Sequence, residues 1–204
     1  MARTDRTPRR RLDADVRREV ILDAAAAIFR AAPYAAVRIS DVAEAAGSSP
    51  ALVYRYFASK AHLYAAVIER AGEVLHSREA AALEAIASGS PVRDRVRTLL
   101  EAYLDHVAAD PTSWTNPFLA GDEPPEALAV RASARQRSAE RLRSELSLTG
   151  AWARHEYALL GYVGFVDQAC LAWAREGCPA ELRWAVVESS LGALEGALGD
   201  WRTS

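Results

Sequence analysis

Lysine is almost absent from this chain of 204 residues: Lys60 is the only one, and the remaining positive side chains are arginine. Cysteine is scarce too, at Cys170 and Cys178. Two cysteines argue against a disulfide-stapled scaffold, and no histidine stands at a metal-ligand spacing from either, so both read as small buried hydrophobes. Glycine and proline are modest, at 11 and 9 residues, with no low-complexity tract and no repeat of solenoid period, which sets aside disordered and repeat architectures. No apolar run suits a membrane. The greasiest stretch, residues 157–174, carries Asp167 and Gln168 near its middle and reads as a buried or interface helix. The arginine-rich start never opens into an apolar run of about 7–15 residues, so no secretory leader is expected and a cytoplasmic location is. A strand pattern, a phosphate-cradling glycine loop and a His-Glu-x-x-His run are all missing. Glu73-x-x-His76 has no second copy, as a carboxylate-bridged di-metal bundle would require. Neither an enzyme nor a cofactor is expected.

What is present is enough apolar material for a sizeable core, 50% of the chain, and an uneven charge distribution beneath a net charge of −2. Residues 1–60 hold 11 Arg/Lys against 7 Asp/Glu, while residues 61–204 hold 14 against 20. A basic front and an acidic rear suggest that only the front meets a polyanion. Within that front, Ile39, Val42, Ala43 and Ala46 fall at i, i+3, i+4 and i+7, one face of a short amphipathic helix. Gly47 follows, where a left-handed residue can end the helix and turn the chain. Ser48 and Ser49 can cap a second helix with Pro50 in its first turn, carrying Leu52, Val53, Tyr54, Arg55, Tyr56 and Phe57. Two short helices about a glycine turn form a helix-turn-helix, whose second helix is sized for the major groove.

These residues resemble the tetracycline-repressor (TetR) family of bacterial transcription regulators. The matching run is Asp41-Val42-Ala43, Ala46-Gly47, residues 52–57, then Ser59-Lys60 with Leu63 behind; a preceding helix, residues 20–25 with Phe29, stands at the expected distance. The resemblance spans roughly residues 16–68. It departs at Arg38, where the family usually has a small hydroxyl residue, at Ser48 and at Pro33-Tyr34. Carried over by motif position, Tyr54, Tyr56 and Lys60 look like clamps on the DNA backbone. Pro50, Ala51, Leu52 and Arg55 match positions near base edges, and Arg38, Ser40 and Ser49 are expected beside them. Of these only Arg55 can read guanine bidentately. Tyr54, Tyr56 and Lys60 are expected to project outward together, and Val53 and Phe57 to face the core.

Residues 1–15 read as a flexible basic arm, with Arg9, Arg10 and Arg11 able to follow a phosphate backbone or to remain a solvated tail. Helix 1 is expected over residues 15–31, the helix-turn-helix domain over 16–60, and a long fourth helix from Lys60 to about Ser88-Gly89, linking the front to a rear domain over 69–204. Further helices follow Ser90-Pro91, lie within the proline-rich residues 111–125, and span 125–147, 152–175 and 181–201. In the last two, Leu159, Val163, Val166, Cys170 and Trp173, and then Leu191 among its neighbours, step at heptad-like spacing, with Gly192, Gly196 and Gly199 on another side. The pair either closes the monomer core or forms a dimer interface, a four-helix bundle with its symmetry mate; the dimer is the expectation, and the resemblance also implies it.

The fold class expected is therefore all-α: an N-terminal three-helix DNA-binding domain joined to a C-terminal helical domain for ligand binding and dimerisation, about nine helices in total. The rear domain is expected to hold a small, mostly apolar or aromatic effector among Tyr103, His106, Trp114, Phe118, Trp152, His155, Tyr157, Tyr162 and Phe165. Partners expected are a double-stranded DNA operator, that effector and a second copy of the chain, with no membrane. A helical adaptor for another protein is the rival reading; it would have no use for the spacing of Tyr54, Arg55, Tyr56 and Lys60. Repression, the usual outcome in similar proteins, is the expected output.

Overall fold

The computed structural model describes residues 7–121, 123–150 and 153–199, with the backbone alone for 7–13 and 117–120. Among the described residues there are nine α-helices, two short 3-10 turns and no strand. In chain order these helices are α1 (Thr7–Ala31), α2 (Ile39–Ala45), α3 (Pro50–Tyr56), α4 (Lys60–Ala85), α5 (Val92–Ala109), α6 (Pro111–Ala120), α7 (Pro125–Glu145), α8 (Ala153–Arg175) and α9 (Arg183–Leu198). Residues 7–14, expected as part of an arm, instead extend α1. Pro8 falls in the first turn, where a missing N–H costs nothing, and arginine is a good helix former. The side chains of Arg9, Arg10 and Arg11, and all of Trp152 and Trp201, lie outside the described residues.

The front domain is built on one buried cluster. Ile21, Leu22, Ala25 and Phe29 of α1 pack against Val42 and Ala43 of α2, Val53 of α3, Phe57, and Leu63 of α4. The α2–α3 turn closes by a Schellman motif: Ser48 N–H donates to Ala43 O at 2.8 Å and Gly47 N–H to Glu44 O at 3.0 Å. Gly47 has φ +56°, and an added Cβ there would meet nothing within 4 Å, so the demand for glycine is conformational rather than steric. Ser49 then caps α3, its hydroxyl accepting from Leu52 N–H. Arg38 precedes α2 without a side-chain cap bond, as its departure from the family pattern implies.

The rear domain has its own core. Val96, Leu100, Leu104 and Val107 of α5 meet Leu142 of α7, Leu159, Cys170 and Trp173 of α8, and Val187, Leu191 and Leu194 of α9. The heptad-like seam of α8 thus closes the protomer's own core rather than a dimer interface. Leu159, Cys170, Trp173 and Leu191 are all buried within a single copy, and burial pushes the Cys170 thiol up to about 12. Helical spacing marks which residues are buried, not which chain buries them. Gly199 is likewise not on a helical face: with φ +85° it caps the end of α9.

Candidate functional site

The two-helix unit presents Pro50, Ala51, Tyr54 and Arg55 of α3 to solvent, with Arg38, Ser40 and Ser49 exposed beside them and Leu52 half-buried. Tyr54 is 50% exposed, while Val53 and Phe57 are buried as expected. The other two residues expected to project outward do not. Tyr56 is half-buried and packs on the front core. Lys60 turns back: its Nζ donates to Tyr34 O at 2.8 Å and Val37 O at 3.1 Å, and lies 4.2 Å from the Tyr34 ring centroid. The reason is local chemistry. The 3-10 turn Tyr34–Ala36 brings the carbonyls of Tyr34 and Val37 beside the first turn of α4, whose ammonium bonds both, Tyr34 O accepting also from Val37 N–H at 3.3 Å.

Between front and rear lies a cavity of about 520 Å³, in the range of about 300–1,000 Å³ usual for small-molecule sites. Its walls come from α1 and the following turn (Phe29, Arg30, Tyr34), from α4 (Tyr64, Ile68, Leu75), and from α5 to α8 (Leu99, Tyr103, Trp114, Val166). Phe29, Tyr34 and Tyr64 form an aromatic group with centroids 4.7–6.2 Å apart, and Tyr103 meets Trp114 edge-on at 5.4 Å. Four of the nine expected effector residues line it: Tyr103, His106, Trp114 and Tyr162. Tyr157 and Phe165 do not; they are 77% and 40% exposed on the outer side of α8. His155 is half-buried but outside the lining, and Phe118 and Trp152 have no described side chain. Val163 and Val166, expected at a dimer interface, face this cavity instead.

Its charged groups were not foreseen. Tyr103 Oη donates to Asp167 Oδ1 at 2.7 Å, and Arg135 Nε donates to Asp167 Oδ2 at 2.7 Å. Tyr64 Oη donates to Glu123 Oε1 at 2.9 Å, and Arg131 holds the same carboxylate through Nε and Nη2. Arg141 Nη1 donates to Glu79 Oε2 at 2.9 Å, and Arg30 Nε lies 2.6 Å from Asp110 Oδ2. Burial, then the neighbouring carboxylates, push the Tyr64 and Tyr103 phenols up, so both remain hydrogen-bond donors. Burial also raises the Glu79 carboxyl, against the pull of Arg141. His106 is pushed down, first by burial and then by the charge of Arg78.

A model described as bacterial regulatory proteins, tetR family, matches residues 21–67, the stretch that holds α2, α3 and the turn between them. Over residues 21–67 the chain carries the TetR-family signature. Its fold agrees over almost its whole length with a TetR-family regulator from Streptomyces coelicolor, at TM-score 0.71 and 24% identity, covering 91% of this chain and 90% of that one. A TetR-family repressor from Thermus thermophilus, FadR, in complex with lauroyl-CoA, superposes at TM-score 0.65 and 18% identity over 89% of this chain and 94% of that one. In sequence, 100 residues are 35% identical to the HTH-type transcriptional activator FasR of Mycolicibacterium smegmatis, covering 49% of this chain. That stretch spans only 44% of the relative's length. No described helix of the chain is long and apolar enough to cross a membrane.

Proposed function

We propose that the chain is a transcription regulator that binds a near-palindromic DNA operator as a dimer and is released from it by a small effector. The observation that carries this reading is the cavity wall. Tyr34 lines the cavity, and its carbonyl and ring are also held by Lys60 at the start of α4, four residues beyond the end of α3. A molecule inside the cavity therefore touches the support of the recognition helix. To induce, it must prefer the protein in its DNA-incompetent arrangement by as much as it weakens operator binding.

Tyr54 and Arg55 are the exposed long side chains of α3 and contact the DNA in this reading, Arg55 at a guanine and Tyr54 at a phosphate or thymine methyl. One such helix reads too little sequence for specific affinity, which is what dimerisation remedies. The surface suited to it is the outer face of α8 and α9. Tyr157, Leu160, Phe165 and Trp184 are exposed there, Trp184 by 69%. Gly161, Gly192 and Gly196 are exposed as well and would allow close backbone approach, since a Cβ at each meets nothing within 4 Å. In this reading Gly192 and Gly196 serve the interface expected of them, in the company of residues first assigned to the effector. An acyl chain, as in the lauroyl-CoA bound by the Thermus relative, suits the apolar part of the cavity.

A gel shift with the DNA upstream of the chain's own gene, with and without acyl compounds, tests the reading. Retardation that such a compound relieves is the expected result; no retardation at any salt concentration sinks it. Activation, the output named for the Mycolicibacterium relative, is distinguished by a promoter fusion in a deletion strain. Loss of repression raises the reporter, and loss of activation lowers it.

A further inference from the structure

The cavity is more positive than the domain around it. Six arginines and four carboxylates line it; all four carboxylates and every arginine but Arg30 come from residues 61–204, a segment whose own charge is negative. Four of the arginines are matched by those four carboxylates, and Arg70 is matched by Asp23 and Glu19 of α1. The sixth is Arg78, on α4. Among the described residues no carboxylate lies within ion-pair distance of it, and no hydrogen bond engages its guanidinium. Arg78 is exposed and lines both the large cavity and a shallow groove along α4, which places it at the cavity's mouth. Across from it, on α5, half-buried His106 also faces the cavity without a hydrogen-bond partner among the described residues.

We propose that the cavity's effector is an anionic amphiphile, its apolar body between the aromatic and aliphatic walls and its acidic head on Arg78. The assignment rests on the regulator reading and adds the charge of the ligand to it. A cationic head would meet an excess of arginine, and a neutral one would leave the free guanidinium unused. A carboxylate or phosphate gains a charge-assisted, geometrically matched pair in surroundings partly shielded from water. The paired arginines offer no equivalent seat. Each already holds a carboxylate; for all but Arg70, whose two partners Glu19 and Asp23 are exposed, displacing it would strand a buried or half-buried negative group.

The test uses the full chain, calorimetric titration and three probes of one chain length: dodecanoate, dodecanol and dodecylammonium, with lauroyl-CoA as a fourth. Dodecanoate or lauroyl-CoA should bind about tenfold or more tightly than dodecanol. If only dodecanoate does, the head is a carboxylate; if only lauroyl-CoA does, it is a phosphate of the carrier. Arg78→Ala should abolish the preference over dodecanol, and Arg78→Glu should invert it toward dodecylammonium. Because Arg78 is exposed, neither variant should disturb folding, which the thermal midpoint checks. A wild type that binds neither dodecanoate nor lauroyl-CoA more tightly than dodecanol overturns the proposal, as does an Arg78→Ala variant that still prefers the acid, or a wild type that binds none of the four. A gel shift on the same ligand-free preparations separates the two failures: retarded DNA alongside a missing acid preference leaves the regulator reading standing and removes only the head-group assignment.

Discussion

Lys60 holds Tyr34 at two points: its Nζ is 2.8 Å from that residue's carbonyl oxygen and 4.2 Å from the centroid of its ring. The ammonium also reaches Val37 O at 3.1 Å, so one side chain gathers the whole turn between α1 and α2. Replacing it by alanine removes these charged bonds, though Tyr34 O keeps the one from Val37 N–H. Hydrogen bonds to a charged group contribute about 1.5–3 kcal/mol, so Lys60→Ala should lower the urea midpoint by a corresponding amount. Its effect on DNA should be equal for every operator sequence, with the slope of affinity against salt unchanged. A slope that falls by about 0.9 would instead put the ammonium on a phosphate in the complex.

Gly47→Ala forces a Cβ into a residue at φ +56° with open space around it. The cost is the left-handed strain alone, about 1–2 kcal/mol. Denaturant melts should show that loss, and Gly47→Asn, which tolerates the conformation better, should recover part of it. A cost near zero for alanine would mean that the α2–α3 turn is not held as the Schellman bonds indicate.

This turn was legible in the sequence because its cause is local: a glycine after an amphipathic septet, then serines and a proline, fix the bend within a few residues. Tyr54 and Arg55 were legible for the same reason. The turned-back Lys60 was not, because the carbonyls it caps stand 23–26 residues earlier and a carbonyl has no residue-type signature. The α8 seam was found, yet assigned to the wrong neighbour. Leu159, Cys170 and Trp173 announce a buried stripe, and periodicity carries no information on whether α5 and α9 or a second copy covers it. The charged cavity was hidden more deeply. Arg131, Arg135 and Arg141 on α7 look like a solvated face, and their partners Glu123, Asp167 and Glu79 are 8 to 62 residues away. Only the resemblance and the pocket together draw attention to them.

The face Tyr157–Phe165–Trp184 and the seam beneath it should separate cleanly by mutation. Phe165→Glu places a charge on an exposed residue, so sedimentation should report a monomer that remains folded and loses operator affinity. Leu191→Ala removes a buried side chain and should cost about 2–5 kcal/mol of stability. If Phe165→Glu sediments as the wild type does, the outer face of α8 is not where two copies meet.

Arg55→Ala should relax specificity by about 1–3 kcal/mol at one base pair and leave the other positions alone. Affinities for a set of singly substituted operators measure this directly. A loss spread evenly over the whole set would reassign Arg55 to the DNA backbone, and Tyr54 would become the remaining candidate for base contact on this part of α3.

His106 gives the rear domain a pH dependence with a definite sign. Burial, and then the charge of Arg78 on α4, hold its imidazole below the ordinary value near 6.5, with Asp110 at the end of α5 opposing them. The unfolded chain therefore takes up a proton near pH 6.5 that the folded chain resists. The stability associated with the neutral ring is complete above that pH and is lost as pH falls through it toward the lower folded value. The raised Glu79 carboxyl acts in the opposite direction, because the folded state then binds its proton first, so the wild-type curve alone mixes the two. The difference between wild type and His106→Gln isolates the histidine. Urea midpoints at pH 8, 7, 6 and 5.5 should converge as the pH falls, the variant losing less than the wild type. Parallel curves would mean that the ring is protonated as readily in the fold as outside it.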